Sequence, residues 1–119
     1  MESREIYRIN YPYQEGHGVK TRPVLVFILT STPNEFIALK ITTTPRPKNR
    51  VEVIHWREAN LDRPSYIQCD NYSTLVISGE TEFVGMLDQS DYDSVVLKFN
   101  KFFPIIKMQE VYMKSLQDT

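Results

Sequence analysis

Short apolar segments alternate with turn-forming residues through the first two-thirds of the chain. Alternation of apolar and polar residues predicts a strand over 6–11, and an unbroken apolar run predicts a buried strand over 24–29. Pro23 stands where the second strand is predicted to begin, a position that tolerates proline because no ladder hydrogen bond is needed there. The same signals predict five more extended segments, over 36–42, 51–56, 65–69, 74–77 and 82–87.

The pattern changes to helical spacing after residue 88. Ser90 is a suitable N-cap, and Asp91 and Asp93 fall in the first turn, where negative charge is favourable. Pro104 predicts the end of this helix or a kink, followed by a second helical piece that reaches residue 116. The apolar positions that keep the helical spacing are Tyr92, Val95, Val96, Phe99, Phe102 and Phe103.

These elements favour a mainly β fold with a C-terminal helix. Short antiparallel strands separated by turns are typical of a small barrel or strongly curved sheet, which closes on itself and leaves no free edge. The length of 119 residues fits one domain, and we expect it to be strand-rich over 1–88 and helical over 89–116.

The composition narrows the classes of function. A net charge of −1 gives no global attraction to nucleic acid, so RNA or DNA binding would rest on a local basic patch or on dimer geometry. The lone Cys69 rules out an intramolecular disulfide and fits a reducing compartment. No apolar run approaches the roughly 20 residues of a membrane span, and the N-terminus lacks the apolar centre of a signal peptide. We therefore expect a cytoplasmic protein that binds no membrane, and without paired His/Cys spacing we expect no metal or cofactor.

Arg22 is the first candidate for chemistry, because it is predicted to be the last exposed residue before a rigid strand. An arginine fixed in this way can hold a phosphate through two parallel hydrogen bonds. The structural alternative is a solvated strand-end cation that contributes little energy. From sequence alone, Thr42 and Thr43 fit the end of a strand, and Asp70 with Asn71 fits a turn.

Several segments, taken in order, resemble one protein family. They are Tyr11-Pro12-Tyr13, Gly16-His17-Gly18, 20–26 (KTRPVLV), Ile41-Thr42-Thr43, 64–70 (PSYIQCD) with Thr74-Leu75, and 84–87 (VGML). In this ordered set the chain is similar, over most of its length, to the MazF/PemK (Kid) toxin family of type II toxin-antitoxin systems. The resemblance implies an SH3-like small barrel with a C-terminal helix, a homodimer, metal-independent endoribonuclease activity on single-stranded mRNA, and inhibition by a cognate antitoxin.

The resemblance also implies a catalytic set. Arg22 falls on the arginine of the family's Arg-Pro motif, which acts as acid or phosphate stabiliser, and Thr42 falls on the threonine after the third strand. Asp70 matches the aspartate that PemK-type members place next to an arginine, and His17 lies in the loop where members carry a histidine or a glutamate. Gln68 departs from the family, because PemK-like members have arginine there, and glutamine can hydrogen-bond a phosphate or a base but cannot neutralise charge.

Each of these residue types has a role in RNA cleavage without a metal. The reaction needs a base for the ribose 2′-hydroxyl, an acid for the leaving 5′-oxygen and donors for the charge that grows on phosphorus. His17 can serve as acid or base, Asp70 as the base or as the group that orients it, and Arg22 and Thr42 as donors. The residues expected to bind substrate are Gln68, Thr43, Lys20, Arg46, Lys48 and Tyr13.

Two other functions stay open at this stage. Gln68 and the near-neutral charge favour a non-catalytic RNA- or protein-binding member of the same fold. Similar barrels also host gyrase-directed toxins, since fold alone does not determine function. The expected partners of the first hypothesis are single-stranded RNA, an antitoxin and a second copy of the chain.

Overall fold

The computed structural model of the protein describes residues 1–12, 19–79 and 81–104. These ranges form seven strands followed by one helix. The elements are β1 (Glu5–Pro12), β2 (Val19–Leu29), β3 (Glu35–Thr42), β4 (Arg50–Glu52), β5 (Tyr66–Gln68), β6 (Ser73–Val76), β7 (Glu82–Met86) and α1 (Gln89–Phe102). No helix within the described ranges is long and apolar enough to cross a membrane.

The strands form one antiparallel sheet in the order β4-β5-β3-β2-β1-β7. The long strand β3 also pairs with β6 through its first half, where Phe36 lies opposite Leu75, while its end pairs with β5, where Ile41 lies opposite Ile67. The predicted class, mainly β with a C-terminal helix, is confirmed. The order is an open path, however, because β4 and β7 end it without pairing with each other in the described residues.

Two apolar clusters lie on opposite faces of the central strands. The main core gathers Leu25, Leu39 and Ile67 from the sheet against Val95 and Phe99 of α1. The second cluster takes the alternate residues of β2 and β3, because successive side chains of a strand point to opposite faces. It is formed by Val24, Val26, Phe36 and Ala38.

Strand β2 begins earlier than predicted. It starts at Val19, so Arg22 lies inside the strand, opposite Ile9 of β1, and not just before it. Pro23 lies within the strand and pairs with Arg8 of β1. It has no partner on β3, because the pairing of β2 with β3 begins only at Val24. A residue with a single neighbouring strand can lack an N–H without breaking the ladder on its other side.

Two other boundaries differ from the predictions. The segment predicted as a strand over 51–56 leaves the sheet after Glu52 and turns through 54–60. The N-cap of α1 is Asp88, whose carboxylate accepts the backbone N–H of Ser90 at 2.9 Å, so Ser90 lies in the first turn. The helical continuation predicted after Pro104 lies outside the described residues.

Candidate functional site

One face of the sheet changes from apolar to polar along its strands. Ile41 and Ile67 point into the main core, so their neighbours in sequence point the opposite way, to the face of the second cluster. On that face, the ends of β2 and β3 and all of β4 and β5 carry polar side chains. We call this surface the polar face and define it by Arg22, Lys40, Thr42, Arg50, Glu52, Tyr66, Gln68 and Asp70.

Strand register brings the residues of the polar face together. Thr42 at the end of β3 lies opposite Tyr66 of β5. Arg50 of β4 lies opposite Gln68 of β5. Since β4, β5 and β3 are neighbours in the sheet, four side chains from distant parts of the sequence form one continuous surface.

Arg22 joins the polar face from β2. Val24 of β2 lies opposite Lys40 of β3. In an antiparallel pair, Arg22 and Thr42 each stand two residues beyond this position, at the same end and on the same face. Both side chains are partly exposed. Two residues of the predicted catalytic set therefore lie on one surface.

Asp70 is held by two amide groups on the same surface. Asn49 donates from Nδ2 to Oδ2 of Asp70 at 2.7 Å, and Gln68 donates from Nε2 to Oδ1 at 2.9 Å. The Asn49 hydrogen bond is the main reason that the pKa of Asp70 lies below its ordinary value, with smaller contributions from Gln68 and from the positive charge of Arg50. The carboxylate is therefore fixed in place and ionised at neutral pH.

Asn49 was not anticipated from sequence, and it ties the 43–49 loop to the polar face. It is 8% exposed, and its own carbonyl accepts the backbone N–H of Cys69 at 2.9 Å. Further along the loop, Lys98 of α1 donates to the backbone oxygen of Pro47 at 3.0 Å. The loop is thus held from β5 and from the helix. Lys40 was also missed, although strand alternation places it beside Thr42.

A groove of about 370 Å³ continues from the polar face along this loop. It is lined by Pro45, Arg46 and Pro47 of the loop and by Arg50, Glu52 and Tyr66 of β4 and β5. Thr43, Arg46 and Lys48 are exposed on the loop. The hydroxyl oxygen of Thr42 accepts the backbone N–H of Thr44 at 3.3 Å, and its own hydrogen remains able to donate. The groove combines cations with an aromatic ring, the combination that binds single-stranded nucleic acid.

The side chains of three predicted site residues are outside what the structure describes. His17 and Tyr13 lie outside the described residues. For Lys20 only the backbone is described, in β2 opposite Tyr11. Their roles stay predictions.

One buried thiol and one cluster of potential cation ligands have structural explanations. Burial raises the pKa of Cys69 to about 12, so this thiol is protonated and no nucleophile at neutral pH. His55, Asp88 and Asp91 have ligand atoms within 4.8 Å of one another and have the donor types of a cation site. Asp91, however, already accepts the backbone N–H groups of Ile54 at 3.2 Å and His55 at 2.9 Å, while Asp88 caps α1. The positive end of a helix also disfavours a cation there.

Comparison with known proteins agrees with this fold. The family model of the PemK-like, MazF-like toxins of type II toxin-antitoxin systems matches residues 2–103. Among solved structures, the Mycobacterium tuberculosis toxin MazF-mt6 is 26% identical, covers 86% of this chain and 98% of its own, and superposes with a TM-score of 0.66. A comparison with curated protein sequences finds no significant match.

Two more distant structures share the fold. A MazE–MazF structure from Deinococcus radiodurans is 16% identical, covers 88% of this chain and 97% of its own, and has a TM-score of 0.70. A mycobacterial endoribonuclease in complex with its cognate antitoxin is 18% identical, covers 87% and 92%, and has a TM-score of 0.65. Because the family model spans nearly the whole chain, this protein belongs to the PemK-like, MazF-like toxin family of type II toxin-antitoxin systems.

Proposed function

We propose that this protein is a toxin endoribonuclease that cleaves single-stranded mRNA at specific sequences without a metal ion. Membership of a family known for endoribonucleases supports the reaction class. The observation that carries the proposal for this chain is the fixed, ionised carboxylate of Asp70 on the same face as Arg22 and Thr42. Such a face offers permanent positive charge and neutral donors to a phosphate, with a carboxylate beside them.

The proposed reaction is an internal transesterification of RNA. The ribose 2′-oxygen attacks phosphorus and loses its proton to a base, while the P–O5′ bond breaks and the 5′-oxygen takes a proton from an acid. The products are a 2′,3′-cyclic phosphate and a 5′-hydroxyl. Arg22 stabilises the charge on the phosphoryl oxygens through its guanidinium, and the Thr42 hydroxyl donates a further hydrogen bond.

Asp70 has a narrower role in this scheme than its charge alone suggests. A carboxylate whose pKa is lowered holds a proton less well and is therefore a weaker general base. We assign to Asp70 the orientation of the 2′-hydroxyl or of the residue that accepts its proton. His17 remains the candidate for proton transfer, since a histidine titrates near neutral pH.

The groove beside the polar face supplies the proposed binding site for neighbouring nucleotides. Tyr66 provides a ring on which an unpaired base can stack, and Arg46 and Lys48 provide charge for the backbone. Gln68 can hydrogen-bond a base with the part of its amide that Asp70 does not engage. The related mycobacterial endoribonuclease bound to its antitoxin supports a cognate antitoxin as partner, and the family supports a homodimer.

Product analysis in the presence of a chelator tests the proposal. Purified protein is incubated with labelled single-stranded RNA of mixed sequence in EDTA, and the ends of the fragments are identified by phosphatase and kinase treatment. We expect cyclic phosphate and 5′-hydroxyl ends at a restricted set of sequences. Binding without cleavage would contradict the proposal and assign the face to a non-catalytic RNA-binding protein, the function that Gln68 favours.

A further inference from the structure

The polar face contains a cation that forms no ion pair within the described residues. Arg50 lies on β4 and is half-buried. It donates from Nη1 to the backbone oxygen of Thr44 at 2.6 Å, a contact with a neutral group. Within the described residues no carboxylate lies at ion-pair distance from it, and its buried Nε has no hydrogen-bond partner. Arginine held in this way keeps its charge available to an arriving anion.

The position of Arg50 connects the two parts of the site. It stands opposite Gln68, the amide that holds Asp70, and its charge acts on the Asp70 carboxylate. It also lines the groove that leads away from the polar face, together with Tyr66. A phosphate bound at this point would therefore lie next to the carboxylate, with the base of the same nucleotide near the tyrosine ring.

We propose that Arg50 binds a backbone phosphate of the RNA beside Asp70, and so supplies from β4 the positive charge that Gln68 cannot supply from β5. The inference rests on the proposed RNA substrate. The contact with Thr44 fixes the guanidinium in orientation, so little side-chain entropy is lost when a phosphate oxygen binds. The groups around the bound phosphate are then Arg50, the Asp70 carboxylate and the Gln68 amide, with Lys40, which shares a small pocket with Gln68, and Glu52, which lines the same groove as Arg50.

Moving the positive charge from position 50 on β4 to position 68 on β5 tests this proposal. The variants are Arg50→Gln, Gln68→Arg and the double variant that carries both changes, with Lys101→Gln as a matched loss of one exposed charge on α1. The probe is a 2′-O-methyl RNA oligonucleotide, which lacks the attacking hydroxyl, and its Kd is measured across a range of salt concentrations. Cleavage of unmodified RNA is measured in parallel.

We expect Arg50→Gln to weaken binding about tenfold and to reduce the salt slope by about 0.7, the contribution of one phosphate contact in a single strand. The double variant should regain most of the affinity and the slope, and Lys101→Gln should change neither. An Arg50→Gln variant with an unchanged salt slope and only a lower Tm would overturn the proposal and leave Arg50 as a support for the loop. An equal loss of affinity for a poly-glutamate peptide would assign the charge to an acidic protein partner instead.

One conservative variant and the parallel cleavage assay keep the outcome interpretable. Arg50→Lys retains the charge without the planar fork, and it should retain the salt slope even if Arg50→Gln folds poorly. If the wild-type protein binds RNA through Arg50 but does not cleave it, the proposed chemistry fails while the phosphate contact stands. If the wild-type protein cleaves RNA and Arg50→Gln cleaves it equally well, the contact fails while the proposed function stands.

Discussion

Replacing Asn49 by alanine tests the hydrogen bonding that holds Asp70. The substitution removes the 2.7 Å hydrogen bond from Nδ2 to the Asp70 carboxylate, and it also removes Oδ1, a buried acceptor without a partner. The backbone contact between the Asn49 carbonyl and the Cys69 N–H is retained. The variant therefore isolates what the side chain does for the carboxylate.

The expected loss of stability follows from three contributions. A hydrogen bond to a charged group contributes about 1.5–3 kcal/mol, and the lower end applies because Asp70 is partly exposed and water can replace the donor. The space left by a buried side chain adds about 1 kcal/mol. Removing the unpartnered buried acceptor has the opposite effect and raises the free energy of unfolding by about 1 kcal/mol. We therefore expect the free energy of unfolding of Asn49→Ala to fall by about 1.5–2 kcal/mol at pH 7.

Most of this loss should depend on pH. The folded-state pKa of Asp70 is lowered, so its contribution to stability is present above the unfolded pKa of about 3.9 and disappears as the pH falls through the folded value. Asn49 is the largest cause of the lowered pKa. The difference between wild type and Asn49→Ala should accordingly be full at pH 7 and shrink below about pH 4.

Urea denaturation at pH 7 and near pH 3 measures both effects. Gln89→Ala is a matched control, because Gln89 donates from Nε2 to the Asp93 carboxylate at 2.8 Å on the exposed surface of α1. That pair should contribute less than about 0.5 kcal/mol. A destabilisation by Asn49→Ala that is the same at both pH values would refute the reasoning.

Two further predictions concern the contacts around the 54–60 turn. Gly85→Ala should lower the free energy of unfolding by about 3 kcal/mol or more, because the new Cβ would stand 2.3 Å from the backbone oxygen of Ala59, and thermal denaturation measures the loss. Asp91→Asn should cost about 2–3 kcal/mol, because its 2% exposed carboxylate accepts two backbone N–H groups, including that of His55, and an amide presents only one acceptor. Asp93→Asn, exposed in the same helix, should change stability by less than about 0.5 kcal/mol; equal effects of the two Asp variants would contradict this account.

The elements of this fold could be predicted from sequence where the burial of apolar side chains determines them. The apolar run at 24–29 reflects burial of both faces of β2, and the helical spacing after residue 88 reflects burial of one face of α1. Both patterns lie within the elements that the structure shows. Burial does not determine where an element begins. Strand β2 reaches back to Val19 because β1 pairs with it there, a tertiary contact that propensities do not contain.

The candidate site was predictable in part for the same reason. Arg22, Thr42 and Asp70 were identified through a family resemblance, and strand alternation also places Lys40 beside Thr42. Asn49 carries no such signal, because an asparagine in a proline-rich loop usually faces solvent. It is buried here because the loop folds back onto Asp70, which only the assembled sheet makes possible.

The rate of RNA cleavage by Arg22→Ala in EDTA tests the central claim most directly. Arg22 is the partly exposed cation of β2 on the polar face, and Lys101→Ala removes an equivalent exposed charge from α1. Loss of one donor to a developing oxyanion lowers a rate by about 10²–10³-fold. We predict a loss of this size for Arg22→Ala in protein that is folded at the assay temperature, with full activity in Lys101→Ala. Equal cleavage by wild type and Arg22→Ala would contradict the assignment of the polar face as the active site.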